Sequence, residues 1–237
     1  SRCSNSRYDG KRERFQHQQR KDQNQNHVSS LLPIQKHERE ILYLLERHQV
    51  VIIIGQTGCG KTTQICQYLR KAKWTIPGEK MVCVTQPRRA SAQTVAMRVC
   101  EEIFASHSSS SQRCCLGGTV GVSVRFETMK SSETEILFCT DGSLLRELLE
   151  DPLLQKYSAV MVDEAHERSL NTDVLLGLLK KVTRKRKELR VIVSSATIDA
   201  EAFREFFRAE KEELELELEE EEEEKEKKKK GNDDGKF

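Results

Sequence analysis

The sequence contains few apolar and few aromatic residues. Apolar side chains make up 36% and aromatic side chains 5% of its 237 residues, whereas globular domains usually contain roughly 45 to 50% apolar residues. The shortage is greatest in residues 1–30 and 210–237, each of which holds only four apolar side chains. We therefore expect a polar N-terminal arm over residues 1–30, one globular domain over residues 31–209 and a charged low-complexity tail over residues 210–237.

Long apolar stretches are absent as well. No run of about 18 apolar residues occurs, and residues 1–30, rich in Gln, Asn, Arg and Lys, contain no apolar signal-peptide segment. This pattern predicts an intracellular protein with no membrane partner. The net charge of +2 combines a mildly basic middle with an acidic tail, which permits an anionic partner without identifying one.

Cysteine pairs with the spacing of a metal site are also lacking. The eight cysteines include no CxxC pair, and most of them lie within apolar segments. We expect reduced thiols in the core, and the alternatives are a metal site or disulfide bonds.

Short apolar runs alternate with segments of helical period between residues 31 and 209. Each run is apolar at consecutive positions, as expected for a strand that is covered on both faces of a parallel sheet. This order predicts an α/β domain with a mostly parallel sheet and helices on both faces. The predicted strands are residues 50–54, 81–85, 136–140, 159–163 and 191–195, and the predicted helices are residues 37–47, 61–72, 91–105, 142–150, 172–183 and 199–207.

A glycine-rich segment directly follows the first predicted strand. Gly55, Gly60, Lys61 and Thr62 occupy every fixed position of the pattern GxxxxGK[ST], which here opens a predicted helix. In such a phosphate-binding loop, backbone N–H groups surround a polyphosphate, the lysine reaches the β and γ phosphates, and the threonine hydroxyl ligates Mg²⁺. A chance glycine-rich turn is the alternative, and the strand, loop and helix context argues against it. The predicted nucleotide ligands in this segment are Gly55, Gln56, Thr57, Gly58, Cys59, Gly60, Lys61, Thr62 and Thr63.

Two carboxylates end another apolar run. Residues 159–162 are apolar, and Asp163 and Glu164 follow them directly, which is the pattern of a Walker B strand. We expect Asp163 to hold Mg²⁺ together with Thr62, and Glu164 to activate the attacking water as general base. Alone, two such acids could equally cap a helix or form salt bridges. Together with the phosphate loop they predict NTP hydrolysis, with Lys61, Asp163 and Glu164 as the catalytic residues.

The residues Asp163, Glu164, Ala165 and His166 form the tetrapeptide that names the DEAH-box RNA helicases of superfamily 2. Further segments follow the order of that family's motifs: residues 85–89 are similar to motif Ia, residues 140–142 to motif Ib and residues 195–197 to motif III. Over most of its globular part the chain therefore resembles the first motor domain of a DEAH-box helicase. The resemblance implies a RecA-like fold, Mg²⁺, and ATP with other NTPs possible.

The same resemblance assigns RNA contacts to Arg89, Arg125 and Thr140, and we expect Arg88, beside Arg89, to bind RNA as well. Arg88 and Arg89 lie just after the end of the predicted strand at residues 81–85. Open α/β sheets bind ligands at such strand ends, and arginine suits phosphate oxygens. Such contacts would hold the RNA backbone without reading its sequence. A surface ion pair is the alternative for each arginine, and a helix N-cap is the alternative for Thr140.

Four further residues have counterparts in the family. Arg98 resembles the residue that stacks on the nucleotide base, and a salt bridge is the alternative. By resemblance, His166, Ser195 and Thr197 transmit the nucleotide state to a second motor domain. A structural histidine and simple helix caps are the alternatives for these three positions.

Only about 40 residues follow Thr197, and most of them are charged. We therefore expect a fragment without a second motor domain and without the family's motifs IV to VI. In the family those motifs supply the arginine fingers. In related phosphoryl transfers an arginine finger raises the reaction rate by roughly 10³ to 10⁵. We therefore expect weak nucleotide binding and slow hydrolysis.

The leading hypothesis is the ATP-binding first motor domain of an RNA helicase, coupling Mg-ATP hydrolysis to movement on single-stranded RNA in the full-length protein. The family also implies a nuclear role in RNA processing, spliceosomal or other ribonucleoprotein components as partners, and no obligate oligomer. A non-catalytic module that binds RNA or a partner is the alternative. Intact Lys61, Thr62, Asp163 and Glu164 favour the enzyme. A small kinase or GTPase is a weaker alternative, because no guanine-specificity or lid motif is visible.

Overall fold

The computed structural model describes residues 32–105, 116–197 and 201–207 of the chain. The predicted arm and tail lie outside these residues. The described α-helices are α1 (Glu38–Arg47), α2 (Lys61–Lys71), α3 (Arg89–Ala105), α4 (Asp141–Glu150) and α5 (Leu170–Lys185), with 3₁₀ helices at Pro33–His37 and Ala165–Glu167 and helical residues at 201–207. The strands are β1 (Val50–Ile54), β2 (Met81–Gln86), β3 (Val120–Val124), β4 (Glu127–Met129), β5 (Ile136–Thr140), β6 (Tyr157–Val162) and β7 (Arg190–Ser195).

These strands form one seven-stranded sheet in the order β1-β7-β6-β2-β5-β3-β4. Every neighbouring pair is parallel except β3 with β4. The predicted α/β class and mostly parallel sheet are thereby confirmed. The order also separates β1, which carries the phosphate loop, from β6, which carries the two acids, because β7 lies between them.

Helices cover both faces of the sheet, and each face has its own apolar core. The first core joins α1, α2 and α3 to side chains such as Val82, Val84 and Met161, and the second joins α4, α5 and residues 201–207 to side chains such as Val160 and Val162. Successive residues of one strand point to opposite faces. This is why Val160 and Met161 belong to different cores although both are fully buried.

Burial on both faces accounts for the apolar composition of the central strands.

None of the described helices combines the length and the apolar character that a bilayer crossing requires, and the longest, α3, has 17 residues.

The edge hairpin of β3 and β4 was not among the predicted strands. Gly121 and Ser123 interrupt β3, and β4 has only three residues, so neither forms an apolar run. The turn between them places Phe126 at φ +69° with its side chain 87% exposed. β4 lies at the edge of the sheet and is mostly exposed, whereas β3 is mostly buried but its glycine and serine break the apolar run, so the sequence carries a weak signal for both strands.

The cysteine prediction is correct for some residues and wrong for one. Cys66, Cys83 and Cys139 are buried free thiols, and Cys59 is a half-buried free thiol. Burial raises the pKa of Cys66 to about 12, so this thiol stays neutral. Cys100 is disulfide-bonded, contrary to the expectation of reduced thiols.

Candidate nucleotide site and nucleic-acid interface

The predicted nucleotide residues meet at the carboxyl edge of the sheet. The N–H of Gly55, after β1, donates to the carbonyl of Ser195 at the end of β7 over 3.1 Å. The N–H of Asp163, after β6, donates to the carbonyl of Thr85 in β2 over 3.3 Å. Since parallel strands end at the same edge, segments far apart in the sequence lie next to one another here.

The glycines of the phosphate loop are required by its backbone. Gly58 and Gly60 have φ values of +83° and +98°, which side-chain-bearing residues rarely adopt. A Cβ atom on Gly60 would also lie 2.9 Å from Cδ1 of Leu32. Gly60 is the N-cap of α2, so the loop leads directly into a helix N-terminus, which attracts phosphate.

Lys61 lies inside this loop. Its side chain is buried, and its ammonium group donates to the carbonyl of Gly55 and, over 3.1 Å, to that of Gln56. Charged phosphate oxygens are stronger acceptors than these carbonyls. Lys61 is therefore positioned to exchange loop carbonyls for the phosphates of a bound nucleotide.

Asp163 links the phosphate loop to the acidic segment. The Thr62 hydroxyl donates to Oδ2 of Asp163, and the Gln86 amide donates to the same oxygen over 2.6 Å. The other oxygen, Oδ1, is buried and has no hydrogen-bond partner among the described residues. A carboxylate oxygen without a partner beside a threonine hydroxyl fits Mg²⁺, which prefers hard oxygen ligands.

The described residues contain no group of three or more His, Cys, Asp or Glu side chains arranged to hold a metal ion. Mg²⁺ is usually held by one or two protein ligands, with phosphates and waters completing its octahedron. The pair of Thr62 and Asp163 matches that mode of binding.

Glu164 has an unusual backbone and a perturbed acidity. It lies in the left-handed region at φ +53°, where a non-glycine residue is strained, and its carbonyl accepts from the N–H of Glu167 over 2.9 Å. Burial raises the pKa of Glu164, the neighbouring Asp163 raises it further, and His166 and Lys61 oppose the change. A carboxylate with a raised pKa accepts a proton from water more readily near neutral pH.

The three predicted coupling residues lie in two segments that one hydrogen bond joins. Nδ1 of His166 accepts a hydrogen bond from the N–H of Ala196 over 3.2 Å and lies 3.5 Å from Oε2 of Glu164. The Ser195 hydroxyl donates to the carbonyl of Thr197 over 3.1 Å. His166 therefore connects the segment after β6 with the segment after β7.

Arg89, Arg125 and Thr140 line one pocket of about 310 Å³. The other lining residues are Pro87, Gly142, Ser143, Arg146 and Asn171. Three arginines and no acidic residue therefore surround this space, which we call the arginine pocket.

The charges of the arginine pocket are not neutralised by any carboxylate of the described residues. Among the described residues, Arg89, Arg125 and Arg146 have no carboxylate partner, and the guanidinium of Arg125 instead lies 4.8 Å from the ring centre of Phe126. The pocket is also lined by residues from the first turns of α3, α4 and α5. Helix N-termini carry partial positive charge, so all these features favour a polyanion.

Thr140 occupies the N-cap position of α4 but makes no side-chain capping bond. Its hydroxyl instead lies 2.8 Å from the hydroxyl of Ser143. Both hydroxyls line the arginine pocket, where they can donate to an anion.

Two of the predicted arginines lie elsewhere. Arg88 is 71% exposed and pairs with Glu167 over 3.1 Å. Arg98 is 65% exposed and pairs with Glu102 over 2.7 Å. For both residues the structure forms the ion pair that the sequence left open as the alternative.

Comparison with known proteins identifies the family. The model of the DEAD/DEAH box helicase family matches residues 33–206 of the chain. The chain belongs to the DEAD/DEAH box helicase family. This helicase domain is 53% identical over 176 residues to the probable ATP-dependent RNA helicase DHX35 homolog of Caenorhabditis elegans, an alignment that covers 74% of the chain and 23% of the relative. It is also 53% identical over 177 residues to the probable ATP-dependent RNA helicase DHX35 of Homo sapiens, covering 74% of the chain and 24% of the relative.

The chain thus spans about a quarter of the length of these curated relatives. The matched region contains both the phosphate loop and the DEAH tetrapeptide.

Sequence reasoning missed several residues of the helicase domain's candidate sites. Gln86 binds Asp163, Arg146 and Asn171 line the arginine pocket, and Glu102 pairs with Arg98. Gln86 lies within the segment similar to motif Ia, and that position was the one signal that could have drawn attention to it. The pocket residues have no comparable signal, because only the tertiary fold brings them together.

Proposed function

We propose that this helicase domain binds Mg-ATP at its phosphate loop and single-stranded RNA at its arginine pocket. In a protein as long as the curated relatives, hydrolysis at the first site would drive movement along RNA held at the second. The observation that carries the proposal is that two features lie at the same edge of one sheet. One is an ATPase-type pair, Thr62 with Asp163, and the other is a pocket with three arginines that have no carboxylate partner among the described residues. The curated relatives are named as probable ATP-dependent RNA helicases, which supports the same activity.

The residues of the nucleotide site have distinct roles in this proposal. The backbone of residues 55–60 and the N-terminus of α2 hold the phosphates, and Lys61 moves from the loop carbonyls to the phosphate oxygens. Thr62 and Asp163 hold Mg²⁺, which, when bound, neutralises charge on the phosphates. Glu164 accepts the proton of the attacking water, a role that its raised pKa supports.

The RNA site acts through the phosphate backbone. Arg89, Arg125 and Arg146 provide charge, and the hydroxyls of Thr140 and Ser143 provide donors. None of these groups selects a particular base in a single strand. We therefore propose binding of RNA without sequence preference, as a protein moving along RNA requires.

Coupling between the sites is proposed to pass through His166. This residue contacts both Glu164 and the backbone of Ala196, so a change at the hydrolytic carboxylate can reach the segment containing Ser195 and Thr197.

Nucleotide binding is tested by titrating the chain with a fluorescent ATP analogue and Mg²⁺. Lys61→Ala should remove most of the affinity, because it deletes the buried ammonium of the phosphate loop. Lys71→Ala, at the exposed end of α2, is the matched control and should bind as the unsubstituted chain does. Equal affinity in all three proteins would refute the nucleotide assignment.

RNA binding is tested by fluorescence anisotropy with a single-stranded oligonucleotide of mixed sequence. The double variant Arg89→Ala/Arg125→Ala should weaken binding, whereas Arg39→Ala, at an exposed position of α1, should not. Binding of RNA without any binding of nucleotide would instead support the non-catalytic module.

We also propose a nuclear role in RNA processing together with ribonucleoprotein components. The support is the family resemblance alone. Microscopy of the tagged chain tests the location, and isolation of crosslinked RNA and proteins tests the partners. Exclusion of the chain from the nucleus would refute the proposal.

A further inference from the structure

Gln86 lies between the two proposed sites. It is the last residue of β2, and in the register with β5 its partner across the sheet is Thr140, which lines the arginine pocket. Along the chain Gln86 is followed by Pro87 and, two positions further on, by Arg89, which line the same pocket. Residues of the arginine pocket therefore flank Gln86 both along the chain and across the sheet.

The side chain of Gln86 belongs to the nucleotide site. Its amide donates to Oδ2 of Asp163 over 2.6 Å, and the Thr62 hydroxyl donates to the same oxygen. Gln86 is only 3% and Asp163 only 1% exposed, and a hydrogen bond to a carboxylate is strong when both partners are shielded from water. Gln86 therefore holds the orientation of the carboxylate that we assign to Mg²⁺.

Two further contacts join the segment of Gln86 to the segment that begins at Asp163. The N–H of Asp163 donates to the carbonyl of Thr85 over 3.3 Å, a bond that does not depend on the side chain at position 86. Arg88 pairs with Glu167 over 3.1 Å, but this arginine is 71% exposed, and exposed ion pairs contribute little. The buried bond from Gln86 is thus the side-chain contact that can best transmit a change between the segments.

We propose that Gln86 is a positioning residue that couples the arginine pocket to the nucleotide site. RNA in the pocket fixes the residues on both sides of Gln86, which holds its amide on Asp163 and makes nucleotide binding tighter. A carboxylate that is already held in place loses less freedom when Mg-nucleotide binds. The inference rests on the proposed function and adds the residue that connects its two sites.

The purely structural alternative is that Gln86 only closes a buried hydrogen bond between the ends of β2 and β6. The two roles differ in the coupling factor, which is the nucleotide Kd without RNA divided by the Kd with saturating RNA. Loss of a structural bond lowers the Tm and leaves this factor unchanged. Loss of a coupling bond brings the factor close to one.

The experiment titrates the whole chain with a fluorescent ATP analogue and Mg²⁺, with and without saturating single-stranded RNA of mixed sequence. The unsubstituted chain should show a coupling factor of about five or more. Linkage requires the same factor when RNA is titrated with and without nucleotide, which anisotropy measures. In Gln86→Met, where a side chain of similar length lacks the amide donor, the factor should fall to about one.

Gln49→Met is the matched control. Gln49 precedes β1, at the opposite edge of the sheet, and its amide donates to the carbonyls of Thr183 and Arg186 over 2.8 Å each. This variant also loses a glutamine amide with protein partners, but it should keep the coupling factor of the unsubstituted chain.

Thermal unfolding establishes that each variant is folded. Gln86→Asn, whose amide is one methylene shorter, is a second variant with the same expected factor of about one. An unchanged factor in a folded Gln86 variant would overturn the inference and leave the proposed function intact. So would a factor of one in the unsubstituted chain when it binds both ligands. An unsubstituted chain that binds no nucleotide or no RNA would refute the proposed function and the inference with it.

Discussion

Replacing Gly60 by alanine should damage both the stability and the function of the phosphate loop. The backbone at this position has φ +98°, and the left-handed region is unfavourable for an alanine by about 1 to 2 kcal/mol. The new Cβ atom would lie 2.9 Å from Cδ1 of Leu32 and 3.1 Å from Cγ2 of Ile34, an overpacking that typically costs about 1 to 3 kcal/mol. The total loss in free energy of unfolding is therefore about 2 to 5 kcal/mol.

Gly177 provides the matched control. It lies inside α5, has an ordinary φ, and a Cβ atom there would meet nothing within 4 Å. Gly177→Ala should therefore stabilise the domain by about 0.5 to 1 kcal/mol, because alanine is the better helix former.

Thermal and urea unfolding of both variants measure these effects. Since 1 kcal/mol shifts the Tm of a domain of this size by roughly 2 to 4 °C, Gly60→Ala should lower the Tm by about 4 °C or more, and Gly177→Ala should raise it slightly. Nucleotide binding should be lost only in the first variant. A Gly60→Ala protein with unchanged Tm and full nucleotide affinity would refute the loop geometry on which the reasoning depends.

Two other substitutions give distinct expectations. Because Glu164 has a raised pKa in the folded state, its contribution to stability is present below its ordinary pKa and is lost as pH rises through the folded pKa. The free energy of unfolding of the unsubstituted chain should therefore fall relative to that of Glu164→Gln as pH rises from acidic to neutral. Urea unfolding at several pH values measures this difference, and a difference that does not change with pH would contradict the prediction. Arg146→Ala should weaken RNA binding and reduce the slope of log affinity against log salt by about 0.7, whereas Arg88→Ala, outside the arginine pocket, should leave that slope unchanged in anisotropy titrations. Equal slopes in both variants would show that Arg146 contacts no phosphate.

The central strands could be predicted because their sequences are unambiguous. β5 and β7 are short apolar runs, as burial on both faces requires. β3 and β4 could not be predicted in the same way. β4 is a short edge strand with exposed residues, and β3 contains a glycine and a serine.

The nucleotide site followed from the sequence further than the RNA site did. The phosphate loop is a contiguous segment whose glycines are fixed by local backbone geometry, so its residues are visible as a pattern. The arginine pocket depends on several separate elements. Arg88 and Arg89 are adjacent, but the start of α3 turns only Arg89 into the pocket, while Arg88 pairs with Glu167. Successive residues of a helix point about 100° apart, and a sequence without its fold does not reveal which of two neighbours faces a site.

The most direct test of the account is the Tm of the chain with and without Mg-ATP, compared with that of Lys61→Ala. A ligand that binds only the folded state at a hundred times its Kd adds about 2.7 kcal/mol of stability, equivalent to a rise of roughly 5 to 10 °C. The account predicts this rise for the unsubstituted chain and none for Lys61→Ala at the same nucleotide concentration. An equal rise in both proteins, or none in either, would contradict the assignment of residues 55–62 as the nucleotide site.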